Sequence, residues 1–504
     1  MKKAVFIGVG VLAILIVILL LVPPFIDLGA YKARYLPVVE EALQRKVDVG
    51  EVRLRIVPSP AIRLSRLNVS DNPAFSKDPF FTAQQVRLQL RLWPLLKGQF
   101  HIDEFIVEKP VIHLLKQPDG TFNFADIGKK KPGAQKRAEK EGGQKTKGPN
   151  KLSELIPAHV RIEEGDITLQ TKGQKPLRVQ GIDVLVKDFT AGRPFPYRVA
   201  LRLPGFKPIK LEGPLQYDES RASLQLRENH LTAENVDFAV NGTVSDLTGI
   251  PRMNLALNNS GFETKPIFQA LSGLGLTPKE LEISGPLGLK ANLTGPSNAL
   301  TSQVNTEFQG LKVNDKRAFH GTVAGHATIV LPLGGKGPLD QALRGNGQVT
   351  ATDGALTNVD LISKIQTLTG LAGMPADRGR GATTFRTFQT EFALAGGTAE
   401  FKRLFLESPV MEALGAGKMT LQSPSLDLAV EAALSPEISA RAASGRAATF
   451  FKDNRGRIVV PLKITGPVKS PAVVPDAQKL ARKGAGQLLE QKKGELFERL
   501  FKRK

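Results

Sequence analysis

Residues 86–116 read VRLQLRLWPLLKGQFHIDEFIVEKPVIHLLK. Val86, Leu88, Leu90 and Leu92 alternate with Arg87, Gln89 and Arg91, the period-two pattern of a strand with one apolar and one wet face. Similar stretches precede it (VRLRIV with Val52, Leu54 and Ile56; then IRLSRLNVS) and follow it for more than three hundred residues (HVRIEEGDITLQ, IDVLVKDF with Val184, YRVALRLPG with Leu201, MNLALNNSG with Leu255). The sequence therefore predicts a mainly β protein, and the question it sets is what covers the repeated apolar face.

Turn chemistry separates the strands. Pro118-Asp119-Gly120 is a ready hairpin turn. Gly-Pro pairs at Gly213-Pro214, Gly285-Pro286, Gly295-Pro296 and Gly466-Pro467 predict strand ends, because glycine permits the bend and proline stops the ladder. Helical spacing is confined to short stretches: 30–46 with a kink at Pro37, 265–275, 359–373 and the Ala-rich 435–453.

The chain has 504 residues, a formal charge of +21 and no cysteine. The missing cysteines remove disulfides and thiolate chemistry together. The positive charge invites a nucleic-acid reading, but it is local. Residues 129–151 carry a net +7 and residues 477–504 a net +6, leaving a mildly basic body. The first tract lacks apolar period and reads as a flexible linker. The second sets Leu496, Phe497, Leu500 and Phe501 along one side among lysines and arginines. It reads as a basic amphipathic helix suited to anionic headgroups, a partner, or simple solubilisation.

Residues 4–22 are nineteen uncharged residues, Val5, Ile14 and Leu20 among them. As a helix they reach roughly 28 Å, about the thickness of a hydrocarbon core. A cleaved signal peptide has a shorter apolar run and a small-residue cleavage site, whereas this run meets Pro23-Pro24. The expectation is a retained single-pass anchor, cytoplasmic at its N-terminus behind Lys2 and Lys3, with the bulk of the chain outside the cytoplasm.

Catalytic signatures are missing from the sequence. His101, His113, His159, His230, His320 and His326 are scattered, without metal-ligand spacing. There is neither a phosphate-binding glycine loop nor a G-x-S-x-G elbow, and KDNRGRI (452–458) reads as a hairpin turn and not a calcium loop. No enzyme activity, metal or cofactor is expected.

Two architectures would cover the apolar faces: several stacked sandwiches, or one long curved sheet whose inner face is left partly unfilled. With 6% aromatic residues and one Trp, the chain is short of the bulky side chains that fill sandwich cores.

Residues 1–128 resemble the AsmA family. The likeness lies in the anchor and helix, a strand ending at Pro58 or Pro60, and a turn over Asn68 to Asn72. It continues through an alternating strand running into Pro94 to Gly98, then Ile106, Pro110, Ile112 and Leu114, then Asp119, Gly120 and Asn123. Residues 345–361 and 406–434 resemble the family's second conserved region, while 45–48 (RKVD) lacks the Thr-Gly-Arg often found before the first strand. The resemblance implies an inner-membrane protein with a periplasmic trough of twisted antiparallel sheet, lined by apolar residues. Its partners would be membrane phospholipids, with a possible outer-membrane or periplasmic protein partner and no nucleic acid.

On that reading the chain divides into an anchor (1–26), an N-terminal AsmA-like β region (27–128), a basic linker (129–151), a central β groove (152–340), a C-terminal AsmA-like β region (341–475) and a basic helix (476–504). About 18 to 22 strands at ~4.8 Å spacing would give a trough on the order of 90–105 Å long. Val52, Leu54, Ile56, Val86, Leu88, Leu90, Leu92, Val184, Leu201 and Leu255 are the expected lining. A membrane-tethered assembly scaffold with a filled core is the other reading.

Overall fold

The computed structural model describes residues 32–55, 59–91, 93, 101–118, 121–127, 157–171, 176–247, 249–316, 318–333, 338–369, 381–441 and 451–482. The expected anchor (1–26), basic tract (129–151) and residues 483–504 of the C-terminal helix lie outside them, as do Ile56 and Leu92. Among the described residues no helix is long and apolar enough to cross a membrane. They form twenty-three strands and a few short helices, in two compact units, Met1–Gly249 and Ile250–Lys504.

The first unit opens with helix α1 (Lys32–Leu43), which carries Pro37 inside it. Eleven strands follow: β1 (Val47–Arg55), β2 (Ala61–Ser70), β3 (Pro79–Leu90), β4 (Ile102–Glu108), β5 (Val111–Lys116), β6 (His159–Thr171), β7 (Leu177–Val186), β8 (Pro194–Arg202), β9 (Ile209–Asp218), β10 (Ser223–Ala233) and β11 (Val236–Ser245). Neighbours pair antiparallel with one exception. β4 and β5 are two segments of one line, broken at Lys109 (φ 47°) and Pro110, and β6 runs parallel to both. The expected wholly antiparallel sheet is therefore corrected to a mixed one. Parallel neighbours need a long crossover, and residues 117–158, with the basic tract inside them, supply it.

Helix α1 closes one end of the apolar face. Leu36 and Leu43 pack against Val47, Val49, Val52 and Val69. The junction is pinned by a polar knot. The Arg45 side chain is 3% exposed and donates to both Asp126 carboxylate oxygens (2.6 and 2.9 Å) and to the Asn123 carbonyl (2.8 Å). Asn123 is fully buried. Its Nδ2 donates to Asp71 (2.7 Å) and to the His113 carbonyl (2.8 Å), while its Oδ1 accepts from the Leu115 amide (3.0 Å). The α1–β1 link, the β2–β3 turn and the chain after β5 are thus tied through one guanidinium, whose planar fork suits that task.

The second unit holds β12 (Arg252–Glu263), β13 (Leu281–Ser284), β14 (Pro286–Pro296), β15 (Leu300–Asp315), β16 (Phe319–Leu333), β17 (Arg344–Leu356), β18 (Thr383–Ala395), β19 (Thr398–Glu407), β20 (Met411–Thr420), β21 (Ser425–Leu434), β22 (Val459–Pro467) and β23 (Ala472–Pro475). Its helices are α2 (Thr264–Gly273) after β12, α3 (Leu339–Ala342) before β17, α4 (Leu361–Thr369) after β17 and α5 (Pro436–Arg441) after β21. Because the strands alternate in direction, α2, α4 and α5 stand at one edge of the sheet and α3 at the other.

Leu361, Ile362 and Ile365 of α4 enter a core with Leu406, Met411, Leu434, Ile438, Ile458, Val460, Leu462 and Val473. That contact sets the curvature. From β17 to β23 is six strand spacings, about 29 Å along the sheet, whereas the nine residues of α4 span about 14 Å. α4 nevertheless packs on β23, so the C-terminal strands curl around it.

Strand bends are made by irregular residues inside strands. Apolar positions shift phase across Arg66, Glu164, Glu228, Gly310 and Asp353, all at φ between 50° and 75°, as bulges do. Gly285-Pro286, Gly295-Pro296 and Gly466-Pro467 fall at strand ends as expected. Gly213-Pro214 does not; it lies within β9, where the Asn229 side chain occupies the place of a Cβ on Gly213 and donates to the Pro214 carbonyl (2.9 Å).

Two outcomes follow from these contacts. A Cβ on Gly354 would sit 2.1 Å from the His320 carbonyl oxygen and 2.6 Å from the Phe385 ring, whereas one on Gly261 meets nothing within 4 Å. Gly354→Ala should cost about 1–3 kcal/mol in thermal unfolding, and Gly261→Ala should be neutral or slightly stabilising. The hydrogen bond from Arg45 holds the Asp126 carboxyl below its usual range, against the opposing effect of burial. Stability from that depression is complete above the ordinary carboxylate value and is lost as pH falls through the folded one. Arg45→Met should cost about 1–3 kcal/mol at pH 7 and remove this acid-dependent loss, as read by melting temperature against pH.

Candidate functional site

Cross-strand register decides which side chains share a face. In the first unit one row runs over ten strands: Val52, Leu64, Val86, Val107, Ile162, Val184, Val199, Leu211, Leu231 and Phe238, each opposite the next. Beside it runs a second: Leu54, Ile62, Leu88, Phe105, Val160, Val186 and Tyr197. Leu90 lies opposite Ile102, and Leu201 opposite Ile209. The register thus joins Val52, Val86 and Val184 in one row and Leu54 and Leu88 in the next.

Burial along the first row is uneven. Val52, Val86 and Val107 are buried (6%, 5% and 6% exposed) where neighbouring side chains, including those of α1 near Val52, cover them. From β6 onward Ile162, Val184, Val199, Leu211, Leu231 and Phe238 are only half-buried. Burial pushes the phenol of Tyr197, in the second row, up to about 12. Phe189, in the loop before β8, packs edge-on against the Phe195 ring (5.1 Å between centroids) and tilted against that of Tyr217 (6.1 Å).

The reverse side is charged. Arg53, Arg63 and Arg87 lie opposite one another on β1 to β3. Arg53 pairs with Glu51 (2.9 Å), Arg87 with Glu108 (2.8 Å) and Arg161 on β6 with Glu104 (3.2 Å). A sheet with ion pairs on one side and aliphatic rows on the other can orient an amphiphile. Two shallow depressions, ≈ 580 Å³ near Glu400, Lys418 and Asp427 and ≈ 540 Å³ near Lys187, Arg198 and Glu212, are lined in part by these charged side chains.

The second unit repeats the pattern. Leu255 lies opposite Leu293, and the adjoining row passes through Leu257, Ala291, Val304, Ile329, Gly345 and Leu394. All except Ala291 are half-buried. Nearer the helices, the row Leu311, Val323, Ala351, Phe388, Leu406, Ala413, Ala432 and Val460 belongs to the α4 core and, Phe388 apart, is buried.

Val5, Ile14, Leu20, Ile56, Leu92, Leu496, Phe497, Leu500 and Phe501 lie outside the described residues. Sequence reasoning missed the Arg45–Asn123–Asp126–Asp71 knot as a physical unit, although Asn123 and the turn after Asn68 carry the family likeness. It also missed α4 as a cover; its only signal was an apolar period that any buried helix shares.

No curated protein matches the chain, and no solved structure does. The sequence model of the AsmA family matches residues 1–244, short of the second region of likeness at 345–361 and 406–434. The match covers just under half of the chain, and it makes residues 1–244 an AsmA-family region.

Proposed function

We propose that this is an inner-membrane-anchored protein whose periplasmic β body shields the acyl chains of phospholipids and supports their transport toward, and the assembly of, the outer membrane. The observation that carries this reading is the row from Ile162 to Phe238, aliphatic or aromatic at every strand and half-buried at every strand. Each methylene moved from water onto such a surface is worth about 0.8 kcal/mol, so an aliphatic track competes with a bilayer without a polar recognition site. The charged reverse face keeps the same sheet soluble. Protein and lipid are the partners in this reading; nucleic acid has no place in it, and the sheet acts without catalysis.

One observation favours a second reading, a membrane-tethered scaffold for outer-membrane protein assembly. The strands from β19 to β23 are packed shut on α4 and α5, as a scaffold with a filled core would be.

Native mass spectrometry of gently extracted full-length protein separates the two. The conduit predicts co-purifying phospholipid. Val184→Asp combined with Val199→Asp and Leu211→Asp should abolish it while leaving the protein folded and membrane-bound; Lys210→Asp, at an exposed position, should not. Stable protein partners with no bound lipid would replace the conduit by the scaffold.

A further inference from the structure

In the second unit the apolar face is not one surface but two, and on β15 the division falls at the bulge. On β15, Val304 and Phe308 precede the bulge at Gly310 and are half-buried; Leu311 follows it and is 7% exposed. On β16, Ile329 is half-buried and Val323 is 6% exposed. On β17, Ala351 is fully buried, whereas Val349 is not. The difference tracks the helices. α2, α4 and α5 all spring from the edge beyond Leu311, Val323 and Ala351, and Ile365 of α4, fully buried, lies in the same cluster as those three.

The cover widens toward the C-terminus. At β21 and β22, Leu428 and Val430, with Leu462 and Ile464, are all buried, so the closed region there takes in rows that are open on β14 to β16. Leu428 lies in the row of Leu289, Thr306 and Ala327, none of them fully buried.

We infer that the acyl-chain track in this unit is a lane confined to the half of the sheet remote from α2, α4 and α5, floored by residues such as Leu257, Leu289, Val304 and Ile329, and that it narrows toward β21 because the chain's own core fills the remaining width. The inference rests on the lipid reading above. It adds that the C-terminal strands are a dry stop, so lipid passes over the edge that carries only the one-turn helix α3 and not out past β23.

Photo-crosslinking of the full-length protein with vesicles of phosphatidylethanolamine and phosphatidylglycerol tests it. Benzoylphenylalanine placed at Val304 or Ile329 should label lipid; placed at Leu311 or Val323 it should give background. Labelling at 311 or 323 equal to that at 304 overturns the lane, as does labelling confined to Val184 and Val199 of the first unit. Labelling at none of the six positions overturns the lipid reading itself. Since a bulky probe at a buried position can disturb the fold, hydrogen exchange on the unaltered chain gives an independent measure. Added vesicles should slow exchange over residues 302–306 and 327–331 and leave 311–315 and 319–323 unchanged; slowing in the latter segments overturns the lane.

Discussion

Hydrogen bonding between strands would be satisfied in more than one phase; a slip of a single residue keeps the ladder and turns every side chain to the opposite face. What selects one phase here is the separation of aliphatic from ionic rows. Val52 opposite Leu64 opposite Val86 leaves Arg53, Arg63 and Arg87 together on the reverse. The bulges at Arg66, Glu164 and Glu228 would destroy that separation if they stood alone. They preserve it because apolar spacing changes parity at the same places: Leu64 is followed by Leu67, and Leu226 by Asn229 and Leu231. Curvature and a single-sided apolar face are therefore obtained from the same residues.

An apolar face must be covered, and this chain covers only part of its own. Burying a leucine or valine completely stabilises by about 1.5–3 kcal/mol. α1 secures that for the first strands and α4 for the last. In the strands away from these helices, Ile162, Val184, Val199, Leu211 and Leu231 of the first unit and Leu257, Val304 and Ile329 of the second keep part of their surface open.

Much of this was legible in the order of residues. Period-two alternation located the strands, and helical spacing at 359–373 and 265–275 located α4 and α2 within a few residues. Val52, Val86 and Val184 fall in one row because alternation fixes sidedness within a strand and the chain repeats the same polarity. Strand direction left no trace, since a parallel and an antiparallel strand with one wet face have the same pattern; the direction of β6 was therefore unreadable. Gly213-Pro214 misled for a local reason: the dipeptide that ends other strands continues one here, opposite the bulge of β10, where Asn229 donates to the Pro214 carbonyl. Arg45 was hidden because its partners come from positions 71, 123 and 126, and nothing local announces that a charged side chain is buried. The boundary between open and sealed halves of β15 depends on α4, more than forty residues later.

The curl around α4 also imposes an order of manufacture. Most strands of the second unit add to their predecessor through short connections, so the sheet grows as the chain is made, with little loop entropy to overcome at each step. α4 is the exception: it is complete at residue 369, yet Val473, part of its surrounding cluster, is synthesised about a hundred residues afterwards. During that interval Leu361, Ile362 and Ile365 have no finished housing, and the nascent unit presents a greasy helix to whatever chaperone or neighbour is at hand. Its final strand is therefore a latch on the whole C-terminal half. The docking of Ala472 to Pro475 on β22 completes the wall around α4.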